Sequence, residues 1–87
     1  MSQAYLPAPG TITMFSTPWC CYCVRLKRQL DKAGLAYVEV DIEQDPEAAA
    51  YVEQVNGGNQ TVPTVLFPDG TAATNPSLKD IKRALGG

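Results

Sequence analysis

The sequence predicts an α/β domain in which a mixed four-stranded sheet carries three helices, in the order β-α-β-α-β-β-α. Three observations lead there. Short β-branched or alternating runs take turns with amphipathic runs of helical period. The helical runs are bounded by capping residues or by glycine. Finally, Pro68-Asp69-Gly70 makes a tight turn between the last two strand-like runs, whereas helical runs join the earlier ones. A chain of 87 residues suits one domain.

Thr11-Ile12-Thr13-Met14-Phe15-Ser16 follows Gly10 and reads as a buried strand. Val24, Leu26, Leu30 and Leu35 then recur near helical spacing among Arg25, Lys27, Arg28 and Lys32. They predict an amphipathic helix from about Cys21 to Ala33, stopped by Gly34. Residues 36–42 alternate apolar and acidic and give a second strand. Asp45 can cap a helix and Pro46 suits its first turn. That helix runs through Ala48, Ala49, Tyr51, Val52 and Val55 to Asn56-Gly57-Gly58. Pro63 to Phe67 is a third strand, and Thr71 to Thr74 a weaker fourth, placed there because the turn demands a partner. Asn75-Pro76-Ser77 opens a last helix through Leu78, Ile81 and Leu85.

A helix between the first two strands makes them parallel through a right-handed crossover, and the tight turn makes the last two antiparallel. Helices then cover both sheet faces. Residues 1–10, rich in Ala, Pro and Gly, read as a flexible leader, and residues 11–87 as the domain.

Apolar residues make up 45% and the net charge is −2, so neither a membrane span nor attraction to nucleic acid or anionic lipid is expected. The charges are sorted all the same. Every basic residue lies in 25–32 or 79–83, while Glu39, Asp41, Glu43, Asp45, Glu47 and Glu53 fill the middle. Solvated faces explain this; so does a molecule that orients its partners by charge. No signal-peptide pattern opens the chain, and a cytoplasmic location is expected. Structural disulfides rarely persist there, and clustered cysteines then point to redox catalysis or metal.

All three cysteines fall in Thr17-Pro18-Trp19-Cys20-Cys21-Tyr22-Cys23, where the first strand hands over to the first helix. A helix start has unpaired N–H groups and a partial positive charge. Thiols at such sites ionise at roughly pH 3.5–7.5 instead of ~8.5. Cys20, just before the helix, is expected exposed at its tip as the attacking thiol. Cys23, three residues on, shares its face and is within reach of a disulfide. Cys20 attacks a disulfide, a mixed disulfide forms, and Cys23 can displace it as resolving thiol. Cys21 points about 100° round the helix and has no primary role in this reading. A structural zinc site needs four ligands, usually two separated pairs; with no histidine and no second CxxC, no metal is assigned. Trp19 and Tyr22 fit core packing or the rim of a substrate groove. Thr61-Val62-Pro63 opens a strand with a proline, and a cis bond there would free the Val62 backbone for an extended thiol.

This set of residues resembles the glutaredoxin branch of the thioredoxin superfamily, over roughly residues 11–85. Cys20-x-Tyr22-Cys23 has the glutaredoxin form, and Thr61-Val62-Pro63 follows some forty residues later. Within that branch, "TPWCCYC", "VNGGNQTVPTVLFPDG" and "TNPS" are similar to blocks of the actinobacterial mycoredoxins. The resemblance implies the thioredoxin fold, with a cis Pro63 beside Cys20, substrate-binding backbone at Val62, and Thr74 and Asn75 near the same groove. It also implies a thiol–disulfide oxidoreductase with mycothiol as co-substrate and no tightly bound cofactor. The sequence lacks the Gly-Gly-Ser/Cys-Asp stretch that holds a glutathione carboxylate, and Thr17 stands where glutaredoxins often place lysine. Mycothiol, built on a sugar and inositol, has no such carboxylate. Cys21 departs from the usual Gly or Pro at its position.

The function expected is reduction of mycothiolated or disulfide-containing proteins by a monomer, with no nucleic-acid or membrane partner. Three alternatives accompany it. One is a thioredoxin-reductase-dependent redoxin serving ribonucleotide reductase. Another is an iron–sulfur cluster carrier, as a thiol-bridged dimer through Cys20. The last is a catalytically silent interaction domain.

Overall fold

The structure is a computed structural model, and it describes residues 5–86. Its elements run β1 (Ile12–Ser16), α1 (Cys21–Ala33), β2 (Tyr37–Asp41), α2 (Pro46–Val55), β3 (Thr64–Leu66), β4 (Ala72–Thr74) and α3 (Leu78–Ala84). All seven expected elements form, in the expected order. Each strand is one or two residues shorter than the sequence pattern suggested.

The sheet order is β2-β1-β3-β4. β1 pairs parallel with β2, from Ile12 opposite Tyr37 to Ser16 opposite Asp41. β3 lies antiparallel to both β1 and β4. The central strand β1 is buried at every residue, and the edge strand β2 leaves Val38 in solvent. A strand with neighbours on both sides and helices on both faces has no side to give to water.

Alternation along β1 feeds two cores. Ile12 and Met14 pack with Leu26 and Leu30 of α1, Val65 of β3 and Ile81 of α3. Phe15 points the other way, to Ile42, Leu66 and the α2 residues Ala48 and Val52. Each such side chain contributes about 1.5–3 kcal/mol by leaving water. α1 ends where Gly34 turns left-handed at φ 72°, which lets the Leu35 N–H close back on the Leu30 carbonyl.

The leader expected to be flexible is anchored as far as it is described. The Tyr5 hydroxyl donates to both carboxylate oxygens of Asp45 at 3.0 Å. Its ring meets Phe15 edge-on at 5.4 Å. The Thr13 hydroxyl donates to the Tyr5 carbonyl, and Pro7 is buried. A large aromatic with a polar tip is held once both ends find partners. Residues 1–4 of the expected leader lie outside the described residues.

Candidate active site

The site forms where β1 ends. Thr17 and Pro18 turn the chain, and the Cys20 N–H donates to the Thr17 carbonyl at 3.3 Å. Cys20 keeps extended backbone angles (φ −86°, ψ 110°) as the residue before α1, and its carbonyl accepts the first helical bond, from the Val24 N–H. Its sulfur therefore swings over the open end of the helix. There Sγ accepts from the Cys23 N–H at 3.1 Å. The thiol in turn donates to the Val62 carbonyl at 3.8 Å, a weak sulfur contact that spans 42 residues of sequence. No acidic residue stands in the first turn of α1, and the one side chain that caps it is the Cys20 sulfur.

One expectation is corrected. Cys20 is not exposed at the helix tip: only 5% of the residue meets solvent, while Cys21 is exposed. The reason is the contact with Val62, since the segment before β3 closes over the sulfur from one side. Cys20 instead floors a groove of about 370 Å³ whose walls are Trp19, Cys21, Tyr22, Gln60, Thr61 and Val62. Cys23 is 1% exposed. All three are free thiols. Burial pushes the Cys23 thiol up to about 12. Its hydrogen bond with Cys20 adds to this, as do the charges of Cys20 and Glu39, and a backbone N–H of Thr17 pulls the other way. Cys23 is thus held as a protonated thiol at neutral pH.

The other residues singled out from sequence are not all in one place. Trp19 and Tyr22 stand out of the surface, 69% and 59% exposed, so neither ring is core packing. The Val62–Pro63 bond is cis and Pro63 is buried. Val62 reaches the sulfur with its carbonyl, and its N–H has no partner among the described residues. Asn75 lies across Tyr22, in a second hollow of about 270 Å³ bounded also by Arg25, Gln29 and Ser77. Thr74 lines neither hollow. Its hydroxyl donates to the side-chain carbonyl of Asn56 at the end of α2, so it holds the loop rather than facing the groove.

Gln60, Arg25 and Glu43 also belong to this neighbourhood and were not singled out from sequence. Gln60 directly precedes Thr61-Val62-Pro63, and its position was a usable signal. Arg25 sits 6.0 Å from the centre of the Tyr22 ring, at the limit of a cation–π contact. Glu43 accepts from the Trp19 indole N–H at 2.6 Å, and nothing in the sequence links the two. A larger hollow, about 550 Å³, runs along α3 beside Lys79, Lys82 and Arg83, away from the cysteines. Volume alone does not mark the chemistry.

A thiol that is polarised by a helix end, next to an unpaired backbone N–H and a second thiol three residues on, is equipped for thiol–disulfide exchange. The comparisons agree. The Glutaredoxin family model matches residues 12–71. A Mycobacterium tuberculosis protein that carries the glutaredoxin name is 53% identical over 76 residues, which cover 87% of this chain and 90% of that one. Mycoredoxin 1 of Corynebacterium glutamicum is 46% identical over 72 residues, covering 83% of this chain and 89% of that protein. The crystal structure of the Methanosarcina mazei glutaredoxin superposes with a TM-score of 0.76 at 24% identity, over 91% of this chain and 81% of that one, a likeness that shows the fold. That fold is the thioredoxin fold, as the sequence led us to expect. With the family model, the relatives and the sulfur's setting in agreement, the chain belongs to the glutaredoxin family and is a glutaredoxin-like thiol–disulfide oxidoreductase.

Proposed function

We propose that this oxidoreductase removes mycothiol from proteins, with Cys20 as nucleophile, and that it works as a monomer in the cytoplasm. The observation that carries the reading is the setting of the Cys20 sulfur. It lies between the Cys23 N–H at 3.1 Å and the Val62 carbonyl at 3.8 Å, on the floor of an open groove. Helix N-termini are favourable places for negative charge, and the Cys20 sulfur sits at one.

In the reaction, the Cys20 thiolate attacks the mycothiol sulfur of a protein–mycothiol disulfide. That S–S bond breaks, the protein leaves as a thiolate and takes a proton from water, and Cys20 now carries the mycothiol. A second mycothiol thiolate attacks the bound mycothiol sulfur, which returns Cys20 as thiolate and releases mycothiol disulfide. In the net exchange the free mycothiol sulfur is oxidised to the disulfide level, and the protein sulfur is reduced to a thiol. Alternatively Cys23 attacks the Cys20 sulfur and expels mycothiol, leaving a Cys20–Cys23 disulfide for later reduction. Cys23 must lose its proton for that route, and burial opposes the loss. The first route needs only Cys20.

Substrate binding falls to Trp19, Tyr22, Thr61, Val62, Pro63 and Asn75. The Val62 N–H and carbonyl lie along the groove as a strand edge would, and an extended thiol can pair with them. Thr74 contributes by fixing Asn75 through Asn56. Support for mycothiol over a thiol with carboxylates is that the chain carries Thr74-Asn75-Pro76-Ser77 in place of the Gly-Gly-Ser/Cys-Asp stretch that holds a glutathione carboxylate. The mycoredoxin relative points the same way.

The test is a mycothiolated peptide assayed with reduced mycothiol and with reduced glutathione. Faster turnover with mycothiol, retained in Cys23→Ser, is the expected result. Equal or faster turnover with glutathione overturns the thiol assignment, and loss of all turnover in Cys23→Ser overturns the one-cysteine route. Mass spectrometry of trapped Cys23→Ser locates the attached thiol, expected on Cys20.

A further inference from the structure

We infer that Glu43 is a positioning residue for substrate capture: it holds the Trp19 indole upright as one wall of the Cys20 groove. Trp19 is 69% exposed and is followed at once by Cys20, so packing does little to fix its ring. One polar contact does. The indole N–H donates to Oε2 of Glu43 at 2.6 Å, a short bond to a charged acceptor. Trp has a single donor, so this bond sets which way the ring leans.

Glu43 is itself held. It sits in the turn between β2 and α2, where its N–H donates to the Asp41 carboxylate at 2.9 Å and the Gln44 N–H closes on the Asp41 carbonyl at 3.1 Å. The turn is tied to the site end of the sheet, because the Ile42 N–H donates to the Ser16 carbonyl at 3.0 Å. The acceptor is therefore presented from a hydrogen-bonded turn at the end of β2, the strand next to the one that delivers Cys20. The opposite rim has a counterpart of opposite charge, Arg25 beside the Tyr22 ring, but at 6.0 Å that contact is looser. The two aromatic walls thus differ: Trp19 has a short hydrogen bond to a carboxylate, and Tyr22, which borders both hollows, has only the 6.0 Å contact with Arg25. A pinned ring offers a ready surface to an incoming mixed disulfide without first losing its rotational freedom. A wall that acts in binding and touches no reacting atom should show in KM and leave kcat alone.

This inference rests on the reading of Trp19 as a substrate wall, and the experiment separates the two. The protein has a single tryptophan, so near-ultraviolet circular dichroism and fluorescence anisotropy report that ring directly. Variants Glu43→Ala, Glu43→Gln, Trp19→Ala and the double variant Glu43→Ala/Trp19→Ala are assayed on one peptide carrying mycothiol and on the same peptide carrying glutathione. Glu43→Ala is expected to weaken the tryptophan dichroism, lower its anisotropy and raise KM about fivefold on either substrate, with kcat within about twofold. Glu43→Gln, which keeps an acceptor oxygen without the charge, falls between. In the Trp19→Ala background, Glu43→Ala adds nothing to KM. An unchanged tryptophan signal in Glu43→Ala overturns the inference, because the ring is then not held by Glu43. A changed signal with unchanged KM also overturns it, since the ring is then held but not used. If KM rises equally in the presence and absence of Trp19, Glu43 acts by charge alone and the inference fails. A preference for glutathione would refute the mycothiol reading and leave these comparisons intact.

Discussion

The start of α1 and the starts of α2 and α3 solve the same problem in opposite ways. Every helix begins with N–H groups that lack partners. At α2 the Asp45 carboxylate accepts from the Ala48 N–H at 3.2 Å, with Pro46 and Glu47 completing a well-formed first turn. At α3 Ser77 and Asp80 cap each other's amides reciprocally. At α1 the acceptor is sulfur, a poor partner as a thiol and a good one as a thiolate. The first two ends use their amides to hold the fold. The third leaves them for a charge that develops during chemistry. Fold stability and reactivity are thus written into equivalent positions of different helices, and substitutions there should move them independently.

Cys20→Ser is the strongest break of that contrast. A serine is a preferred cap, so the melting temperature should hold or rise, by up to about 1 kcal/mol of stability. Disulfide-reductase turnover should nevertheless fall to background, because an alcohol does not exchange with disulfides. Unaltered stability with retained turnover would show that the nucleophile is elsewhere.

Asp45→Ala comes next, with the opposite signature. It removes a cap and both Tyr5 hydroxyl bonds, and should cost about 1–2 kcal/mol in denaturant unfolding. Turnover per folded molecule should stay within about twofold of the parent, as its carboxylate makes no contact with the groove. Ser77→Ala should behave likewise at about 1 kcal/mol, read as a lower denaturation midpoint.

The smallest effect at neutral pH is that of Cys23. Its thiol is raised above the ordinary value of 9.0 to about 12 in the folded chain. Below pH 9 both folded and unfolded forms keep the proton, and the contribution to stability is intact. Between 9 and 12 only the unfolded chain ionises, so stability falls as pH rises. Alkaline unfolding should therefore begin at higher pH in Cys23→Ala, after allowing for its neutral-pH offset. Coincident alkaline curves would contradict the burial of that thiol.

The sequence carried a good deal of this. Helix stops at Gly34, the Asp45-Pro46 start and the alternation in β2 are local signals, and the elements they mark are present. The position of Cys20 just outside α1 was legible for the same reason. What was not legible depends on chain segments meeting. The strand order β2-β1-β3-β4 follows from which faces bury together, not from any one strand. Cys20 sinks from the surface because Val62, 42 residues away, covers it. Thr74 turns aside because Asn56 offers an acceptor, and Tyr5 docks because Asp45 lies beneath it. Trp19 and Glu43 are 24 residues apart and meet only because β1 and β2 are neighbours. Contacts of this kind leave no periodicity to read.

The α1 contrast is tested most directly by setting exposure against activation. Cys21 is open to solvent and Cys20 is 95% covered, so a limiting amount of iodoacetamide at neutral pH forces a choice. Mass mapping of the reduced protein should find Cys20 modified first, with Cys21 lagging and Cys23 protected. Modification of Cys21 ahead of Cys20 would mean that access, not the amide-held sulfur, governs reactivity, and would contradict the account.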